Sequence, residues 1–272
     1  MTPPSLLLAR LRDTAPLVQC ITNYVAMNIT ANVLLAAGAS PAMVHATEEA
    51  GEFAALAGAT LINIGTLSAD WREGMHRAAE SARAHGKPWV LDPVAHQATT
   101  FRRATVAGLL ALHPTLIRGN ASEIIALGGG SSQGQGVDSG DPVEHAAALA
   151  RAVARQHGAV VAVTGAVDYV SDGTRAAWVA GGSPLMPRVT ALGCALSALC
   201  AAFAAVAPRE PFAATVAALA LFGAAGRIAH EAAAGPGSFA VAFLDALPGV
   251  NGAALDALVT YENASLAAPD QP

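Results

Sequence analysis

The Gly193-Cys194 pair stands directly before a long apolar, uncharged stretch that begins at Ala195. A helix starting there presents unpaired backbone N–H groups and the positive end of its dipole, an arrangement that holds phosphate and other anions. A cysteine in that place has its thiolate favoured. A basic group within hydrogen-bond reach of an alcohol can take its proton. The same pair also suits a small residue buried at a tight turn. Cys200, inside the same apolar stretch, and Cys20, inside an apolar run, read as core packing.

Four further polar residues, Asn23, Asp92, Arg118 and Thr164, each follow a short apolar run. In a parallel sheet such positions gather at one edge, where ligands bind. Arg118 is suited to phosphate oxygens, and the carboxylates Asp92 and Glu123 to Mg2+ held through water. Asn120 and Glu123 also have the spacing of a helix cap with its capping box, a role that does not exclude the first. The eight histidines have no HxH or HxxxH spacing, so zinc is not indicated. Neither a GxxxxGK[ST] loop nor a GxGxxG turn between strand and helix is present. A nucleotide must therefore rest on another kind of cradle.

The elements that would position these residues follow from the apolar pattern. Runs at 17–22, 42–44, 60–64, 89–91, 115–117, 160–164, 168–170 and 175–179 read as strands, several without the alternation of a half-exposed sheet. Alanine-rich stretches at 26–37, 48–56, 69–84, 102–112 and 142–157 have helical spacing. Strands alternating with helices imply a parallel α/β sheet with right-handed crossovers. The runs from 160 to 179 read as antiparallel edge strands, and 190–258 as three successive helices. The glycine-rich segment 128–136 suits either a surface connector or a loop covering a ligand.

Of 272 residues, 53% are hydrophobic and 13% charged, which excludes a disordered chain and predicts a large alanine-lined core. A net charge of −5 without basic clusters argues against a nucleic-acid partner. Three cysteines without a CxxC pair fit a reducing compartment. The first 13 residues lack the apolar core and cleavage site of a signal peptide, and 189–208 is too poor in large apolar residues for a membrane span and reads as a buried helix. No linker or repeat divides the chain. We expect a single domain over 1–272, with 1–14 and 262–272 peripheral, in the cytoplasm and without a membrane partner.

Eight ordered segments between Pro16 and Leu247 carry a resemblance: Gln19-Cys-Ile-Thr-Asn-Tyr-Val-Ala-Met-Asn28, Ala39-Ser-Pro-Ala-Met43, Asn63-Ile-Gly-Thr66, Leu91-Asp-Pro-Val94, Arg118-Gly-Asn-Ala-Ser-Glu123, Val163-Thr-Gly165, Gly193-Cys-Ala-Leu-Ser197 and Gly235-Pro-Gly-Ser-Phe239. In their order and spacing the chain closely resembles the hydroxyethylthiazole kinase family of the ribokinase-like superfamily. The resemblance implies a ribokinase-like three-layer α/β/α sandwich with a mostly parallel central sheet and a helical C-terminal part. It implies transfer of the γ-phosphoryl group of ATP, with Mg2+, to the hydroxyl of 4-methyl-5-(2-hydroxyethyl)thiazole, and a homotrimer. By position it makes Cys194 the catalytic residue and places Met43, Asn23, Ala191 and Gly193 at the thiazole. It places Arg118, Thr164, Asn120 and Gly165 at ATP, and Glu123 and Asp92 at the metal through water.

The chain departs from the family pattern where Gly-Thr-Gly-Cys is replaced by Ala191-Leu192-Gly193-Cys194, and where Ala166 stands in place of Glu after Thr-Gly. A positive φ at Ala191 would be strained. The alternatives to a thiazole kinase are a kinase for another small alcohol on the same fold, since fold alone does not choose the substrate, and a binder of thiazole or nucleotide without turnover.

Overall fold

The computed structural model describes residues 1–131 and 141–262. Among them the strands are β1 (Leu17–Ile21), β2 (Ser40–Ala42), β3 (Ala59–Asn63), β4 (Trp89–Asp92), β5 (Leu116–Asn120), β6 (Val160–Thr164), β7 (Asp168–Ser171), β8 (Ala176–Val179) and β9 (Val259–Tyr261). The helices are α1 (Pro4–Thr14), α2 (Met27–Ala37), α3 (Ala50–Leu56), α4 (Ala69–Ala84), α5 (Thr100–Leu110), α6 (Ala121–Leu127), α7 (Val143–His157), α8 (Leu192–Val206), α9 (Pro211–Ala232), α10 (Pro236–Gly249) and α11 (Gly252–Asp256).

The strands form one sheet in the order β2-β1-β3-β4-β5-β6-β7-β8-β9. Pairing is parallel from β2 through β6 and antiparallel from β6 through β9. Alternate side chains enter two separate cores. Val18, Cys20, Leu61, Val90, Leu116 and Ala162 pack with α1, α2, α8, α9 and α10. Ile21, Ile62, Leu91, Ile117 and Val163 pack with α4, α6 and α7 on the other face. Burial on both faces is why these strands carry no polar alternation, and the three-layer α/β/α sandwich with its mostly parallel sheet is the one expected.

Several elements differ from the sequence reading. β2 begins at Ser40 rather than 42, because Gly38, at φ 102, turns the chain straight out of α2 into pairing with Leu17 of β1. β9 completes the sheet beside β8 directly after the stretch 190–258 read as helical, where the sequence reading has no strand. The N-terminal 14 residues, expected at the periphery, form α1, and Leu7, Leu8 and Leu11 are fully buried. They are covered because α9 and α11 return across α1. The stretch 189–208 does contain a buried helix, α8. Of the described helices only α9 is long and apolar enough to cross a membrane, and 83% of its most apolar window is buried within the protein. Most of the glycine-rich segment 128–136, and the tail from 263 onward, lie outside the described residues.

Candidate active site

The C-terminal ends of β3, β4, β5 and β6, with the turn after β1, bring Asn63, Asp92, Arg118, Thr164 and Asn23 to one edge of the sheet. α8 packs across β1, β3 and β4, so its N-terminus, with Gly193 and Cys194, stands over that edge. Tight approach is required at two glycines. A Cβ on Gly193 would lie 2.8 Å from Arg118 Nη1, and one on Gly65 would lie 2.5 Å from Asn23 Nδ2. Gly193 thus lets a guanidinium rest against the start of a helix, and two sources of positive potential converge there.

Asp92 is the centre of the cluster and is 1% exposed. Its Oδ2 accepts from Asn63 Nδ2 at 2.7 Å and from Ser197 Oγ at 2.8 Å, with Arg118 Nη1 at 3.9 Å. Its Oδ1 is buried without a partner. Burial pushes the Asp92 carboxyl above its usual range, against the opposing pull of Arg118 and the two hydrogen bonds. Arg118 also donates through Nη2 to Thr164 Oγ1, which itself donates to the Gly119 carbonyl at 3.3 Å.

Asn23 Nδ2 donates to Cys194 Sγ at 3.4 Å and to Asn63 Oδ1 at 2.9 Å. The thiol does not have the stabilised thiolate expected of a helix terminus. Burial, and next the charge of Asp92, push Cys194 up to about 11. Dipole and Arg118 are outweighed because the sulfur is taken out of water beside a carboxylate.

Glu123 and Asn120 form the capping box at the start of α6. Asn120 Oδ1 accepts from Glu123 N at 2.9 Å, and Glu123 Oε2 accepts from Asn120 N at 2.9 Å. Glu123 Oε1 accepts from Ala95 N at 2.9 Å, so the carboxylate also ties α6 to the loop after β4. Burial first, then Asp92, push Glu123 up to about 7. Gly165 follows β6 closely packed, since a Cβ there would strike Val143, and its N–H donates to Asp168 Oδ1 at 2.9 Å. Met43 follows β2 and packs half-buried against the core beneath α2 and α8. Ala166 is exposed in the turn before β7, and Leu192 turns into the core.

Ala191, the N-cap of α8, has φ 63 and ψ 7. This left-handed conformation costs an L-residue with a Cβ about 1 kcal/mol or more, and it is retained because it aims the first N–H groups of α8 at the crevice. Ala191→Gly is expected to raise Tm by about 2 °C, the strain relief being partly offset by the freer unfolded chain. Calorimetry checks this, and a lower Tm would show that the methyl group packs more than it strains.

Three contributors have no role in the sequence reading, although two of them, Asn63 and Ser197, stand in segments that carry the resemblance. Asn63 ends a strand just as Asp92 and Thr164 do, so the rule that found those two also reaches it. Ser197 is one turn into an alanine-rich helix and carries no separate signal. Arg102 donates to the carbonyls of Ile64 (2.9 Å), Val94 (2.8 Å) and Gly65, fixing the loops that leave β3 and β4.

The sequence profile of the hydroxyethylthiazole kinase family matches residues 8–252. A hydroxyethylthiazole kinase of Rhizobium leguminosarum bv. trifolii is 66% identical over 256 residues, 94% of this chain and 96% of its own length. The solved structure of the hydroxyethylthiazole kinase protein of Pyrococcus horikoshii is 44% identical, with a TM-score of 0.86 over 96% of this chain and 99% of that one. A ribokinase-like superfamily protein of Enterococcus faecalis shares the fold at a TM-score of 0.63 with 12% identity, covering 89% of this chain and 88% of that one. With the family profile, the sequence identity and the shared fold all pointing the same way, the chain belongs to the hydroxyethylthiazole kinase family.

Proposed function

We infer that this protein transfers the γ-phosphoryl group of ATP to the hydroxyl of 4-methyl-5-(2-hydroxyethyl)thiazole, the product being the thiazole phosphate used in thiamine salvage. The observation that carries the reading is the juxtaposition at Gly193. A guanidinium and a helix N-terminus meet there beside a buried carboxylate with one free oxygen. Phosphoryl transfer needs positioning and charge stabilisation more than covalent help, and this arrangement supplies both.

In this reading the α8 backbone N–H groups, Arg118 and Thr164 hold the phosphates, with Asn120 and Gly165 on the nucleotide side. Asn23, Met43, Ala191 and Gly193 surround the thiazole alcohol, and Cys194 stands at its hydroxyl. The residues fit Mg2+ held by carboxylates and phosphates rather than by a protein cage. Asp92 keeps a partnerless Oδ1, and each Glu123 oxygen keeps a lone pair beyond its backbone donor. Among the described residues no three His, Cys, Asp or Glu side chains converge on a metal position. Bound there, the cation would neutralise phosphate charge.

The thiol at about 11 is almost wholly protonated at neutral pH, so Cys194 orients the alcohol rather than ionising to attack its proton. Cys194→Ser is expected to keep kcat within about ten-fold while Cys194→Ala loses about 10²-fold. A serine variant as impaired as alanine would return the thiolate to the role of base.

The deciding experiment is purified protein with ATP, Mg2+ and hydroxyethylthiazole, the phosphate ester being read by phosphorus NMR and other small alcohols competing. Preference for a pyrimidine or sugar alcohol, or binding without ester, overturns the assignment. We further propose one domain over 1–272 and a cytoplasmic homotrimer. The low charge and the exposed Tyr24, Val25, Leu35 and Leu56 support subunit contact. Light scattering at micromolar concentration is expected to give three times the 27.2 kDa chain mass, and a monomer would refute it.

A further inference from the structure

We propose that Asn63 and Ser197 are positioning residues that clamp one oxygen of Asp92, so that the carboxylate presents only the other to the reacting groups; this rests on the kinase reading above.

The hydrogen-bond directions are fixed by groups that can only donate. Gly65 N–H donates to Asn63 Oδ1 at 3.0 Å, so the Asn63 amide cannot be reversed and its Nδ2 must face Asp92 Oδ2 at 2.7 Å. Ala26 N–H donates to Asn23 Oδ1 at 3.0 Å, which in turn directs Asn23 Nδ2 at Asn63 Oδ1 and Cys194 Sγ. On the opposite side, Ser197 spends its single proton on Asp92 Oδ2 at 2.8 Å, with the Gly193 carbonyl farther off at 3.4 Å. Swinging the Asp92 carboxylate out of this orientation would break both donations at once, whereas a half-turn only exchanges two equivalent oxygens, so one oxygen is always held. Oδ1 is therefore the oxygen left over, buried and without a partner.

Asn63 has a second consequence. Through Asn23 it connects Asp92, on the phosphate side, with Cys194, on the alcohol side, by neutral amides alone. Asn63 and Ser197 are both fully buried, so their polar atoms have no water to serve. The hydrogen bonds of both residues converge on one oxygen of a single buried carboxylate, and this convergence points to its orientation as their use.

The test compares Ser197→Thr, which keeps the hydroxyl, with Ser197→Val, which has the same shape without it. A clamp predicts that the threonine variant stays within about three-fold of wild-type kcat while the valine variant falls about 30-fold, with KM for the alcohol changed by less than about three-fold in both. Calorimetric titration of Mn2+ into protein saturated with a non-hydrolysable ATP analogue should show affinity weakened about five-fold or more in the valine variant alone. Asn63→Asp, which keeps the acceptor and loses the N–H, should follow the valine variant.

Threonine and valine variants that behave alike in both measurements would overturn the clamp. If neither folds, Ser197→Ala decides in a helix that favours alanine. A fall in kcat of about ten-fold or more at unchanged KM supports the clamp, and unchanged kcat overturns it. A wild-type protein that makes no thiazole phosphate refutes the kinase reading instead, and the Mn2+ titration then judges the clamp by itself.

Discussion

Arg118→Met is expected to lower kcat/KM by about 10³-fold, with most of the loss in kcat. Methionine keeps a side chain of similar length and removes the cation. In the folded protein the guanidinium reaches Thr164 with Nη2, lies 3.9 Å from Asp92 with Nη1, and holds Nε buried without a partner. Its Nη1–Nη2 end rests on Gly193, the residue before Cys194. A charge held this way does not reorganise as negative charge shifts between phosphate oxygens, so it acts fully in the transition state.

Arg118→Lys is expected to recover little. A lysine ammonium is a point donor that cannot serve Thr164, Asp92 and a phosphate at once, as the planar guanidinium does. The variant should fold, because Asp92 and Glu123 are already pushed upward and can answer the lost cation by keeping protons. Steady-state kinetics with circular dichroism on the same preparations checks both claims. A folded Arg118→Met protein within ten-fold of wild type would remove Arg118 from the phosphate site.

What the sequence makes legible here follows from one rule of topology. Asn23, Asp92, Arg118 and Thr164 lie far apart in the chain, yet Asp92 and Thr164 end strands of a parallel sheet, Asn23 follows one and Arg118 lies two residues before the end of another, and the strands end on one side. The capping pair Asn120 and Glu123 is legible for a local reason, since its hydrogen bonds span three residues. The strain at Ala191 is legible only through the resemblance, which puts a glycine at that position, since a helix N-cap ordinarily takes extended backbone.

Other features depend on distances that no local pattern carries. The thiol of Cys194 is raised by burial and by Asp92, a residue far away in the chain, whereas the sequence shows only the helix terminus that would lower it. Ser197 matters through the same carboxylate. α1 is a leucine-rich helix with nothing in its own residues to show that α9 and α11 will cover it. β9 is Val259-Thr260-Tyr261, all strand formers, but a run of three residues is too short to mark a strand until the edge of β8 pairs with it.

Asp92→Asn separates function from stability in opposite directions. The two side chains have the same shape, and the Asn63 and Ser197 donors still find an oxygen at the Oδ2 position. The amide then puts N–H2 where Oδ1 stood, turning a buried, partnerless acceptor into a donor and removing its charge. A loss of about 10³-fold in kcat is expected, the scale of deleting a preorganised charge at a reacting centre. Stability should not fall with it. Burial outweighs Arg118 in setting the Asp92 carboxyl, so the fold as a whole disfavours the charge that the variant removes.

A pH series on protein without ligands gives the sign. Asp92 and Glu123 both hold their protons to higher pH in the folded chain than in the unfolded one, Glu123 to about 7 against an ordinary 4.5. The folded state therefore loses ground as pH rises through that interval. In Asp92→Asn one of these carboxyls is gone and Glu123, raised first by burial, has lost the added push of Asp92, so Tm should decline less between pH 4.5 and 7 than in wild type. An Asp92→Asn protein that keeps kcat within ten-fold of wild type would take the carboxylate out of the reacting centre, and one whose Tm falls over that interval as steeply as the parent's would show that Asp92 does not hold its proton more tightly in the folded chain.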